Sequence, residues 1–189
     1  MVRYTNRIQT DLREILQQAL ADWFGVGEDK CPVILGAQTP SHTAARCVTF
    51  FRLNSHQLGF QGQQLVYPGK DSRGDERYGI GEIQHWVDEI TFQVNVRAKE
   101  TADDDENTPV ARDIAEGIAS WLNSWQGISF VNARKMAFLR VSDIRDLVST
   151  DESDLYQVTA SFDVTLHVGQ SRVRMVEHAH PVLEGARGY

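Results

Sequence analysis

Glu177-His178-Ala179-His180 is the most metal-like pattern in this chain. His-x-His places two imidazoles on one face of an extended backbone, a geometry that suits zinc. A structural zinc site needs four ligands, and only Glu184 or His167 could complete this one. A polar tail is the simpler reading. Asp103-x-Asp105-x-Asn107 imitates the opening of a calcium loop, but Thr108 stands where that loop needs glycine and Ile114 where it needs a bidentate Glu. Gly79-Ile80-Gly81 leads into strand-forming residues, whereas a dinucleotide fingerprint leads into a helix. Gly69-Lys70 lacks both the earlier glycine of a phosphate loop (Gln64) and its hydroxyl (Asp71). No nucleophile elbow and no His-Glu-x-x-His helix occurs. Cys31 and Cys47 sit at the edges of two apolar runs and read as reduced, semi-buried residues rather than activated thiolates. His167 reads as a surface or subunit-contact residue rather than a general base. The expectation is a protein with no catalytic, cofactor-binding or metal residues.

Charge and composition narrow the alternatives. A net charge of −7 argues against binding to a phosphate backbone as the main activity. Arginine greatly outnumbers lysine. Codon bias explains this most simply, although arginine's rigid donor fork also suits protein interfaces. Hydrophobic content of 41% is ordinary for a globular domain. No apolar stretch approaches the roughly 20 residues that cross a bilayer, and no export signal is visible, so no membrane partner is expected.

The elements that must position any functional residue follow from periodicity. Ile8, Leu12, Ile15, Leu16, Ala19, Leu20 and Trp23 form one stripe of a helix over about Asn6 to Phe24. Pro32–Ala37 and Cys47–Leu53 read as strands. Asn54 to Gly81 turns polar and glycine-rich, with a brief strand at Leu65–Tyr67 and an exposed charged loop or hairpin tip at Pro68–Arg77. A long strand then covers about Glu82 to Ala98, alternating clearly from Ile90. Thr108 reads as an N-cap with Pro109 at the first helical position, and Val110, Ile114, Ile118, Trp121, Leu122 and Trp125 as a buried stripe ended by Gly127. Met136–Val141 is a strand and Asp143–Asp154 a polar connection.

Tyr156 to Val168 then alternates without a break, apolar on one face and Gln157, Thr159, Ser161, Asp163, Thr165 and His167 on the other. The fold class predicted is α+β: a mainly antiparallel sheet with long strands, two amphipathic helices packed on one face, and a projecting hairpin arm. Residues 1–170 are expected to form one domain and 171–189 a C-terminal extension.

This order of elements resembles the neck and tail-terminator (tail completion) proteins of tailed bacteriophages over roughly residues 8–168. The resemblance rests on the opening helix, the Val33–Ala37, Cys47–Leu53 and Ile90–Ala98 strands, and the Thr108–Trp125 helix. Ile128-Ser129-Phe130, read as a turn, the Arg140–Leu147 segment and the closing alternating strand complete it. It implies a structural virion protein, assembled in the host cytoplasm, that forms a ring, usually a hexamer, at the junction of head and tail. Such a ring caps the tail tube, stops its elongation and joins the tail to the head-neck connector proteins. DNA passes through its lumen without sequence-specific binding, contractile tails add sheath as a partner, and no cofactor is implied. An acidic lumen would repel DNA phosphates and let the genome slide.

On this reading Lys70, Asp71, Arg73, Asp75, Glu76 and Arg77, with Arg97, Arg172 and Arg174, are candidate interface residues. Gln157, Thr159, Ser161, Asp163 and Thr165, with Asp103, Asp104 and Asp105, are candidates for the lumen or a subunit contact. The alternatives are another connector-ring component (a head-completion stopper or a tail-tube protein) and a small metal- or nucleic-acid-binding domain.

Overall fold

Period-two alternation over long stretches commits most of this chain to strands, and the two helical stripes must cover the apolar face those strands create. A computed structural model describes residues 5–36, 45–66, 80–99, 108–150 and 156–176. Along them run α1 (Thr5–Phe24), β1 (Val33–Leu35), β2 (Arg46–Val66), β3 (Ile80–Ala98), α2 (Ala111–Asn123), α3 (Trp125–Ala133), β4 (Met136–Val141), β5 (Arg145–Thr150) and β6 (Tyr156–Val176). The sheet order is β1-β2-β3-β6-β4, with β5 pairing β6 beside β4. β1 lies parallel to β2 and every other pairing is antiparallel. The α+β class and the mainly antiparallel sheet therefore stand, with a third helix added.

One face of the sheet carries Val48, Phe50, Ile90, Phe92, Val94, Val96, Ala160, Phe162, Val164, Leu166 and Val168, all buried. The stripes of α1 and α2 close over it in a single core. Phe50 and Phe92 meet edge to face at 6.3 Å between centroids, a preferred aromatic geometry. Arg134 fastens α3 to α1. Its guanidinium donates to Glu14 Oε2 at 2.8 Å and lies 3.8 Å above the Phe130 ring. Arg112 Nη1 ties α2 to β5 by donating to Asp146 Oδ2 at 2.6 Å.

Several boundaries differ from the sequence expectation. β2 continues as strand through Asn54–Val66, where polar composition suggested a loop, because Asn54–Leu58 and Gly62–Val66 pair with β3. β6 runs past Val168, where the alternation ended, to Val176 and keeps its pairing with β3 over that stretch. The polar connection after Asp143 contains β5, held by β6. α2 begins at Ala111, so Thr108 is not its N-cap. Val110 occupies that position and has no side-chain acceptor, so only Asp113 acts locally, accepting from the Val110 N–H at 3.1 Å. Pro109 is held outside the helix, where its carbonyl accepts from Arg46 Nε at 3.5 Å.

Gly127 does not end α2, and Ile128-Ser129-Phe130 is helix rather than turn. The break falls at Ser124, whose backbone is extended (φ −76°, ψ 160°). Its hydroxyl donates to the Trp121 carbonyl at 2.6 Å and accepts from the Gly127 N–H at 3.1 Å, so one residue closes α2 and caps α3. Glycine at 127 is required by the close approach: a Cβ there would lie 2.1 Å from the Trp121 carbonyl oxygen.

The break also separates two tryptophans that share a stripe in the sequence. Trp121 is 2% exposed, stacks edge to face on Phe130 and donates its indole N–H to Asp22 Oδ2 at 3.0 Å. Trp125 is 83% exposed, and Val110 also lies on the surface rather than in the buried stripe.

The core ends before the strands do. Beyond Phe50 on β2, Ile90 on β3 and Val168 on β6, the continuous row of buried apolar residues stops among the described side chains, while the three strands run on side by side. Strands of 21, 19 and 21 residues reach about 70 Å at roughly 3.4 Å per residue. Their outer halves make a three-stranded arm, in place of the two-stranded hairpin expected. Replacing Trp121 by Ala should cost about 3–5 kcal/mol through its cavity, whereas Trp125→Ala should stay within about 0.5 kcal/mol. Chemical denaturation of the two variants measures the contrast.

Candidate functional site

The sheet's second face is polar and is tied by cross-strand contacts. Thr91 on β3 and Thr165 on β6 are register partners whose hydroxyls lie 3.3 Å apart. Gln93 Nε2 donates to Asn95 Oδ1 at 3.0 Å and to Ser161 Oγ at 2.9 Å. Asp163 Oδ2 accepts from Arg145 Nη2 at 3.1 Å, and the Asp163 N–H donates to Ser142 Oγ at 2.8 Å. Further along, Glu89 stands between His56 on β2 and His167 on β6. Its Oε1 is 3.4 Å from His56 Nε2 and its Oε2 is 3.0 Å from His167 Nε2. Cross-strand pairs of this kind are the unit by which a sheet is stabilised.

Two bulges set this pattern. β2 gains one residue against β3 between Arg52 and Asn54, and β4 gains one against β6 between Phe138 and Arg140. A one-residue shift moves every later side chain to the opposite face. The extra residues, Leu53 and Leu139, are exposed leucines. The shifts bring His56 opposite Glu89 and Arg140 opposite Thr165, so both join the polar face.

An open hollow of about 430 Å³ lies on this face between Thr91, Arg140, Val141, Ser142, Asp143, Asp163 and Thr165. Asp163 Oδ1 faces no hydrogen-bond partner there and is shielded from solvent, while its other oxygen is engaged by Arg145. The hollow contains carboxylates, hydroxyls and a guanidinium, which suit polar contact with another surface. Among the described residues no group of three His, Cys, Asp or Glu side chains is arranged to hold a metal ion.

The sequence candidates distribute unevenly over this frame. Ser161 and Thr165 are only 1% and 2% exposed, so they act as packing beneath the polar face and present almost no surface. Thr159 and Asp163 are half-buried on the same face. Gln157 pairs with Ser149 in the ladder. Arg97 sits at the base of β3, opposite Cys47 and Thr159. Arg172 and Arg174 belong to the arm, in register with Gln84 and Glu82. Lys70, Asp71, Arg73, Asp75, Glu76 and Arg77 lie outside the described residues, as do Asp103, Asp104, Asp105 and the Glu177–His180 segment. The His56–Glu89–His167 row and the Arg145–Asp163 pair escape sequence reading, because their partners come from different strands and depend on register.

Both cysteines are free and buried. Burial first, and the neighbouring Cys47 second, push the Cys31 thiol up to about 11. Burial also raises Cys47, against a lowering by Arg97. Thiols shifted in this direction stay protonated at neutral pH and are poor nucleophiles.

A family model described as E217 gateway protein gp29 matches residues 8–177. The chain belongs to that family. No curated protein matches it. The matched span begins inside α1 and extends just past β6, so it includes the helical layer, the sheet and the arm. Membership gives the chain a structural role at a bacteriophage neck or connector, in contact with other head or tail proteins. It favours a structural rather than a catalytic reading of the polar face. For the buried thiols, a colourless-to-coloured thiol reagent at neutral pH should leave both cysteines unmodified in the native protein and label both after unfolding. Rapid labelling of either in the native state would contradict their shielding.

Proposed function

We propose that the chain forms a ring of identical subunits, six in number, that caps the tail tube, stops its elongation and joins it to the head side of the neck. DNA passes through the lumen without sequence-specific contacts. The observation that carries this reading is the three-stranded arm: its strands run on past the helix-covered core, and residues 54–57 of β2 lie exposed there. In a ring, such surface meets the next subunit through heterologous contacts that close on themselves. The gateway family supports a place at the neck, and the chain's net charge of −7 favours passage of DNA over its retention.

In this arrangement Arg97, Arg172 and Arg174, with Lys70, Asp71, Arg73, Asp75, Glu76 and Arg77, make contacts to tube, sheath or connector proteins. Gln157, Thr159 and Asp163, with Asp103, Asp104 and Asp105, face the lumen or a neighbouring subunit, and Ser161 and Thr165 hold that surface flat from beneath. The partners are the chain itself, tail-tube protein, sheath in contractile tails, and the connector proteins above.

Electron microscopy of the purified protein, alone and mixed with tail-tube protein, tests the reading. Rings seated on tube ends, with elongation blocked, are the expected outcome. Tubes formed by this chain alone would favour a tube protein, and binding only to head-side proteins would favour a stopper. A monomer that ignores tube protein would sink the terminator reading.

A further inference from the structure

We propose that His56, Glu89 and His167 form a pH-responsive clasp that stiffens the root of the arm. The three residues are direct register partners on three adjacent strands, one on each strand of the arm. They sit where the core gives out: Ile90, next to Glu89, and Val168, next to His167, are the last buried residues of their apolar rows on the way to the arm. Glu89 is 19% exposed and gives one carboxylate oxygen to each imidazole, at 3.4 and 3.0 Å. No other residue touches both outer strands of the arm through one side chain among the contacts described on this face.

The placement depends on the Leu53 bulge. Without that extra residue Ser55 would oppose Glu89, and His56 would project from the opposite face. The clasp is therefore a product of local backbone geometry and register together.

The charges around it define its working range. From β4, Arg140 shares the polar face and adds positive charge near Glu89. From β3 itself, His85 lies on the same face toward the end of the arm and Asp88 on the opposite face. From β2 and β6 come His56 and His167, and the helices pack on the other side of the sheet. The hydrogen bond to His167 chiefly, then the charges of His56, His167 and Arg140, hold the Glu89 carboxyl below the ordinary carboxylate range, against the opposing effect of burial. A carboxyl lowered in the folded state stabilises the fold above its ordinary range and loses that effect only as pH falls through its lowered value. Glu89 thus keeps its charge to lower pH than an ordinary carboxylate, and histidine as a residue type is the side chain suited to switching charge near neutrality. A neutral imidazole donates one hydrogen bond to the carboxylate; a protonated one adds a full positive charge to the same contact. The carboxylate, lying between the two rings, then attracts both and draws β2 and β6 onto β3.

Hydrogen exchange of the full chain at about pH 6 and about pH 8, corrected for the intrinsic pH dependence of exchange, tests this. Peptides spanning Asn54–Leu58, Val87–Glu89 and Val168–Gln170 should show protection about threefold or more greater at the lower pH, with α1 and α2 unchanged. Glu89→Gln should bring that ratio to about one, and His56→Gln, at an exposed position that does not threaten folding, should reduce it. Equal protection of the wild-type arm at both pH values, or a ratio that survives in Glu89→Gln, would overturn the clasp.

Discussion

Everything in this fold hangs on the pairing of β3 with β6. The two strands match residue for residue from Ile80–Val176 to Arg97–Thr159 without a single irregularity. Along the inner half of the pair, Phe92, Val94 and Val96 face Val164, Phe162 and Ala160, and this wall is what α1 and α2 bury. Along the outer half the same ladder continues, with no helix behind it among the described residues. Because side chains alternate with period two, a slip of one residue would exchange the apolar and polar faces along the whole length. Register is thus specified by the core and transmitted, as a rigid consequence, into the arm.

The other strands adjust to this pair. β2 and β4 each insert one residue against their neighbour, and each inserted residue is an exposed leucine. Those two exposed leucines have a structural cause and need no partner to explain them. Their effect is felt further on, where His56 and Arg140 come round to the polar face. The polar face of β3 and β6 itself carries three cross-strand pairs in succession, Gln93 with Ser161, Thr91 with Thr165 and Glu89 with His167.

Periodicity made the inner parts of the fold legible. The α1 stripe, the alternation after Ile90 and the run from Tyr156 to Val168 each have one apolar face against a core, so burial writes its period into the residue types. The outer parts lack that signal. From Asn54 to Val66, β2 has polar residues in succession and glycines at 59 and 62. The Ser124 break was hidden because Trp121 and Trp125 keep helical spacing across it, and a serine that caps two helices resembles any helical serine. β5 was obscured by its polar surroundings. The site was legible only as a polar face: Ser161 and Thr165 share the alternation of Thr159 and Asp163, but neighbours on β3 cover them. No pattern in one segment could bring His56 to Glu89, since their meeting is decided by an inserted residue and by pairing with a distant strand.

The irregular path of β2 also governs how the sheet edge behaves toward other strands. Along the arm, among the described residues, β2 is an outer strand, and a long bare strand of that kind invites unwanted copies to add to it. β2 breaks step at Leu53 and again after Leu58, where Gly59 takes a positive φ of 68°. Only Asn54 to Leu58 remains a straight, evenly paired stretch between them. A chance strand would lose its match within a few residues at either end. The arm can therefore be long and still be a poor template for fibrils.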